Sequence, residues 1–197
     1  MNIKYILSIL FLSFLSMNNN DYEKQDCLAV PPGGFSGFWY SLSQLKKNKT
    51  KNENYYCASS GCLAIICNYI DVYKVYNFAL NSRNYNGSLS HMKNTFINLL
   101  LKEINFIPNI KIVTMSKYGT CIERVPIDKY NFKTLLIKTT DIPFIFSTHG
   151  EVDGGACYYY LNKCKRSIKL PITYRFLTNL LNYDINVDDI IYFYNYI

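Results

Sequence analysis

The chain has 197 residues, 49% of them hydrophobic and 18% charged, and a formal charge of +7. This length gives one domain with a full core rather than two comfortable ones, and the composition excludes an intrinsically disordered chain. The positive balance favours anionic partners, either nucleic acid or acidic lipid surfaces.

The first 17 residues have one lysine, Lys4, ahead of a largely apolar run ending at Met17. They match a signal-peptide core better than a membrane span, which needs about 20 apolar residues. No small-residue cleavage pair follows, so an uncleaved anchor or a packed N-terminal helix is the alternative. Residues 1–26 are expected to be this apolar segment and a linker, and 27–197 a single domain. In a secretory pathway Asn48-Lys49-Thr50 and Asn86-Gly87-Ser88 would be glycosylation acceptors.

Cys27-Leu28-Ala29-Val30 reads as a short strand. The glycine-rich loop Pro31-Pro32-Gly33-Gly34-Phe35-Ser36-Gly37 follows it, and then a helical pattern to about Leu45. Such a loop can turn backbone N–H groups toward an anion; a plain Pro/Gly turn is the other reading. No P-loop Lys-Ser/Thr pair follows, which argues against nucleotide. Ser36 has no glycine two residues later and is set aside as a nucleophile. The basic run Lys46-Lys47-Asn48-Lys49-Thr50-Lys51 comes next. It holds no aromatic to stack on bases, so it reads as a solvated loop or a contact for anionic headgroups, and nucleic acid is not expected.

Tyr55-Tyr56-Cys57-Ala58-Ser59-Ser60-Gly61-Cys62 reads as strand, tight turn and buried helix, with Ser59 at the apex. The frame is that of G-x-S-x-G with Cys57 in place of the first glycine. A serine so placed stands clear of the backbone at a helix N-terminus, which supplies N–H groups and partial positive charge for a developing anion. An ordinary N-cap is the competing reading.

Apolar residues from Leu63 to Leu80 predict one long buried helix, and those from Ser88 to Phe106 a second, with Leu89, Met92, Phe96, Leu99 and Leu100 on one face. Residues 110–114 and 120–124 alternate like strands, and Asn131 to Thr139 predicts a helix. Phe144-Ile145-Phe146 and Val152 are strand pieces, Tyr174 to Leu181 a helix and Ile190 to Tyr196 a final strand. Strands alternating with helices imply an α/β fold with a mainly parallel central sheet and helices on both faces.

Seven cysteines (Cys27, Cys57, Cys62, Cys67, Cys121, Cys157, Cys164) are an odd number without a C-x-x-C pair, so neither a zinc cage nor a paired disulfide framework is expected. Cys57, Cys62 and Cys67 read as small buried side chains. In an exported chain a bridge such as Cys157 to Cys164 is the alternative.

A serine needs a base. The only histidines are His91 and His149, and none follows Asp153, so the Ser, Asp/Glu, His order of an α/β-hydrolase cannot be completed. The remaining candidate is Asp153, at the end of a strand piece and followed by Gly154 and Gly155. His149, Glu151 and Asp153 at alternate positions would share one face of a strand and offer a metal site instead.

Taken in order, the glycine loop, the serine turn and Asp153-Gly154-Gly155 resemble the patatin-like phospholipase family. Thr139-Thr140-Asp141-Ile142-Pro143 is similar to that family's segment before its D-G-G motif. Pro32 and Ser36 replace the oxyanion loop's usual first glycine and arginine, which places the likeness closest to the adiponutrin-like branch. The resemblance runs from about Cys27 to Ala156. It implies a three-layer sandwich and a lipid acyl hydrolase working through a Ser59–Asp153 dyad and an acyl-enzyme, with no cofactor and no metal. Gly33, Gly34 and Ser60 would supply the oxyanion N–H groups, and Gly37, Gly61, Gly154 and Gly155 would support the motifs. Lipid acyl esters at a membrane or lipid-droplet surface would be the partners, reached in the secretory pathway or, alternatively, at a cytoplasmic lipid surface. The short interval between Ser59 and Asp153 implies a reduced lid. A degenerate member that binds lipid without turnover is the alternative, and a structural protein with an ordinary serine cap is a third.

Overall fold

The structure, a computed structural model, describes residues 23–50, 53–83, 88–142, 150–171, 173, 175, 179 and 187–195. Strand β1 (Gln25–Val30) is followed by helix α1 (Gly34–Lys47), β2 (Tyr55–Ala58), α2 (Ser60–Asn68), α3 (Val72–Arg83) and α4 (Leu89–Glu103). Next come β3 (Ile110–Ser116), β4 (Cys121–Arg124), α5 (Lys129–Thr139) and β5 (Glu151–Asp153). A 3-10 segment (Gly154–Lys163), β6 (Cys164–Ser167) and α6 (Val187–Asn195) complete the order. β1 thus starts two residues ahead of the expected domain boundary.

The sheet runs β4-β3-β2-β1-β6. β1 pairs in parallel with β2 and β6, and β2 with β3, while β4 and β5 run antiparallel to β3. The fold is therefore α/β with a mixed, mostly parallel sheet. Its period of two sorts the strand side chains cleanly between faces. Leu28, Val30, Tyr55 and Cys57 join the core built by the α-helices, whereas Cys27, Ala29, Tyr56 and Ala58 face a smaller cluster with Cys157 and Leu161 of the 3-10 segment. Among the described residues, that second face is closed by the 3-10 segment rather than by an α-helix.

Four expectations need correction. The single helix from Leu63 to Leu80 is two, α2 and α3. Lys46 Nζ donates to the carbonyls of Asn68, the last residue of α2, and of Ile70 just past it (2.8 and 2.6 Å), and Asp71 Oδ1 accepts from the N–H groups of Tyr73 and Lys74 to start α3. Polar groups at a break satisfy what continuous helix would have bonded, and apolar periodicity does not register them. α3 is also only partly buried, with Tyr73 exposed. Second, the expected final strand at Ile190 is helix α6. Asp188 and Asp189 lie in its first turn and the buried pair is Ile190 and Phe193, three apart. In α4 the buried residues are Ile97, Leu100 and Leu101, and Leu89 is exposed.

The fourth correction concerns the cysteines. Cys27 bonds to Cys164, Cys57 to Cys62 and Cys121 to Cys157, which leaves Cys67 as a buried thiol. A paired framework exists, and Cys157 is not the partner of Cys164. Strand pairing decides this, because β6 lies beside β1 with Cys164 opposite Gln25. The expected apolar leader, the Asn86-Gly87 part of its sequon, the strand at Phe144-Ile145-Phe146 and most of the helix from Tyr174 lie outside the described residues. Among the described residues no helix is long and apolar enough to cross a membrane.

Candidate active site

The sheet's register builds the site. β2 ends with Ala58 opposite Val113 of β3, and antiparallel β5 begins on the next residue, with Asp153 opposite Thr114. Because β4 occupies the other side of β3 along this stretch, β5 takes up the place beside β3 that β2 vacates. The chain therefore has to leave the sheet at Ser59, and a residue of β5 arrives where it leaves.

Ser59 makes that exit with φ 52° and ψ −134°, a left-handed conformation for a residue with a Cβ. Its Oγ donates to Asp153 Oδ2 at 2.6 Å. The other carboxylate oxygen, Oδ1, accepts the Gly155 N–H at 2.6 Å, and the Asp153 N–H donates to the Asp141 carbonyl at 3.0 Å. Ser59 and Asp153 are 7% and 8% exposed, so solvent barely reaches either group. Burial pushes the Asp153 carboxyl up to about 6. The hydrogen bonds from Ser59 and Gly155 and the charge of Lys93 pull it back, while Asp141 adds to the rise. Lys93 itself is ion-paired with Asp141. An acceptor in this range is half ionised near pH 6 and a usable base at neutral pH, unlike an ordinary carboxylate.

The glycines matter where backbones touch. A Cβ on Gly61 would lie 2.4 Å from the Val30 carbonyl oxygen and 2.5 Å from that of Pro31, so only glycine lets α2 approach the end of β1. A Cβ on Gly154 would lie 2.1 Å from the Val113 carbonyl oxygen. On Gly33 it would meet Gly37 Cα at 2.7 Å, and the Gly37 N–H donates to the Gly33 carbonyl. Gly34 opens α1 with φ 54°, a conformation that favours glycine.

Of the expected oxyanion groups, Ser60 directly follows Ser59 and Gly33 is hydrogen-bonded to the Ser60 side chain. Gly33 N–H donates to Ser60 Oγ at 3.1 Å. The N–H groups of Gly34 and Ser60 belong to the first residues of α1 and α2, where a helix offers no internal acceptor. Ser36 is buried within the first turn of α1 and forms no elbow.

His149 lies outside the described residues. His91 is exposed in α4. Glu151 accepts from Thr114 Oγ1 at 2.6 Å and pairs with Arg124 and Lys138. Among the described residues no grouping of His, Cys, Asp and Glu could hold a metal ion. In the basic run, Lys46 is tied to the α2 terminus and Thr50 is buried, so that run is partly structural. Sequence reasoning missed two features of the site: the Cys57–Cys62 bridge around the elbow, and Thr139, whose Oγ1 accepts the Ser59 N–H. The signal for the first was two cysteines flanking one turn.

The fold and site together define an α/β protein with a serine on a strand-to-helix turn hydrogen-bonded to a buried aspartate at the end of another strand. No protein-family model matches the chain, and no curated protein sequence matches it.

Proposed function

We propose that the chain is a serine acyl-ester hydrolase of the patatin-like kind, acting on lipid acyl esters. The observation that carries this reading is the 2.6 Å hydrogen bond from Ser59 Oγ to a buried carboxylate. Asp153 Oδ2 takes the hydroxyl proton as Oγ adds to the ester carbonyl. The carbonyl oxygen becomes an oxyanion facing the N–H groups of Gly34 and Ser60, with Gly33 joining if its bond to Ser60 Oγ is exchanged. One such donor is worth about 3 kcal/mol in the transition state. Collapse expels the alcohol, which leaves with the proton from Asp153, and an ester of Ser59 remains. Water then adds to that ester as it gives a proton to Asp153, and collapse expels Ser59 Oγ, which takes the proton back from Asp153 as the acid leaves.

Three disulfides among the described residues favour an oxidising compartment, in keeping with a secretory or membrane-associated setting. The degenerate lipid-binding alternative has one observation in its favour: Gly33 N–H is directed at Ser60 Oγ rather than toward an incoming oxyanion.

The test is a fluorophosphonate probe on purified protein, followed by a panel of phospholipids, triacylglycerols and acceptor alcohols. Covalent label on Ser59 and ester turnover, both lost in Ser59→Ala and Asp153→Asn, are expected. Turnover that survives both substitutions would exclude the dyad. Lipid binding without label or turnover would favour the alternative.

A further inference from the structure

We infer that Thr139 is a positioning residue for the nucleophile: its hydroxyl is inserted into the β2–β3 ladder, and that insertion sets Ser59 beside Asp153. This inference rests on the reading above.

Tyr55 N–H donates to the Asn109 carbonyl. A parallel ladder repeats every second residue. With Tyr55 opposite Ile110 and Ala58 opposite Val113, the donor two steps on from Cys57 is Ser59 N–H, and its acceptor would be the Val113 carbonyl. The two groups do not meet. Ser59 N–H instead donates to Thr139 Oγ1 at 2.9 Å, and that hydroxyl donates to the Val113 oxygen at 2.7 Å. One ladder bond has become two with an oxygen between them. The end of β2 is thereby held off β3 by the width of a hydroxyl, at the place where β5 takes over the pairing.

The arrangement leaves Thr139 no slack. It is completely buried at the end of α5, and its hydroxyl uses its proton on Val113 and a lone pair on Ser59. The same Val113 oxygen is the atom against which Gly154, next to Asp153, is pressed. Nucleophile and base are thus referenced to one carbonyl, the nucleophile through Thr139 and the base through its glycine neighbour. Removing the hydroxyl strands a buried N–H and a buried C=O. The shortest repair is for Ser59 to close onto Val113, which draws Oγ away from its present place.

The experiment compares Thr139→Val, which keeps the shape and loses the hydroxyl, with Thr139→Ser, which keeps the hydroxyl. Fluorophosphonate labelling rates and their pH profiles are read on full-length protein, with thermal melts as the folding check. Thr139→Val is expected to label about a hundredfold more slowly and Thr139→Ser within about threefold of wild type, since displacement by an ångström can cost two orders of magnitude. A folded Thr139→Val that labels at the wild-type rate overturns the inference. If Thr139→Val does not fold, residue-resolved hydrogen exchange on the wild type decides. A Ser59 amide as protected as that of Cys57 supports the inserted hydroxyl, and one exchanging like an exposed amide overturns it. Absence of any label in wild type would count against the hydrolase reading alone, and the same exchange measurement would still decide the role of Thr139.

Discussion

Asp153→Asn should abolish turnover and, at neutral pH, make the protein more stable. The carboxyl has an ordinary value of 3.8 and is held at about 6 in the folded chain. A group whose folded value is raised favours the native state fully at pH below 3.8, and that advantage is lost as pH rises through about 6. At ~1.36 kcal/mol per pH unit of separation, the ionised carboxylate costs the folded state about 3 kcal/mol once pH is well above 6. Asparagine has the same shape, its Oδ1 can accept the Gly155 N–H, and its amide can donate to Ser59 Oγ, but it never ionises.

The assay is urea unfolding of wild type and Asp153→Asn, disulfides intact, across the acid-to-neutral range. The other carboxylates titrate in both proteins and cancel in the difference. The stability gap should be under ~1 kcal/mol near pH 4 and approach about 3 kcal/mol near pH 8, the substituted protein being the more stable. In wild type kcat/KM should fall tenfold per pH unit below about 6 as the base protonates. An Asp153→Asn protein no more stable than wild type near pH 8, with a gap independent of pH, would show that the carboxylate is not desolvated. The basis for treating it as a neutral-pH base would then fail.

Three further outcomes follow from the same geometry. Ser59→Gly and Ser59→Ala should both lose the label, but glycine should be the more stable by about 1 kcal/mol in thermal melts, because only alanine keeps a Cβ at φ 52°. Removing bridges pairwise should rank by sequence separation, 137 for Cys27–Cys164, 36 for Cys121–Cys157 and 5 for Cys57–Cys62. Chain entropy assigns them about 5, 4 and 2 kcal/mol, yet the last and weakest should slow Ser59 labelling most, since it joins the two ends of the elbow. Lys46→Met removes the cation from the carbonyls of Asn68 and Ile70. It should cost about 1–3 kcal/mol in unfolding experiments and leave the labelling rate unchanged.

Which parts were readable in the sequence follows from what each signal depends on. β1, β2, β3 and the elbow were legible because period-two burial and a small-residue turn are local, and Ser59 and Asp153 were legible as the ends of such elements. The break between α2 and α3 was not, because Lys46, far back in the chain, supplies part of the capping. Helix α6 was misread as a strand because Ile, Tyr and Phe favour strands on composition, and the two aspartates that start it carry little weight in a hydrophobic pattern. The disulfides depend on which strands become neighbours, so spacing could not show that β6 lies against β1. Thr139 was visible only as part of a motif; its task depends on a ladder register that exists once β2, β3 and β5 are assembled.

The site also bears on whether the pair acts or is a relic. Ser59 holds a left-handed backbone that glycine would adopt without strain, and Asp153 buries a carboxylate that asparagine would replace without charge. These two local costs fall on side chains 2.6 Å apart, at the seam where β5 replaces β2 beside β3. Neither cost is needed to hold the fold: the core on both faces is made by other residues, and the seam is closed by Thr139, Gly154 and the backbone of β5. A protein that only settled on lipid surfaces would gain stability from asparagine at 153, and glycine at 59 would relax the backbone while giving up one hydrogen bond to the carboxylate. Strain and desolvation at matched positions are what a nucleophile and its base require, since the strain presents the hydroxyl and the desolvation lifts the carboxylate into the range where it can take a proton. Their coincidence favours a working dyad over a structural serine cap.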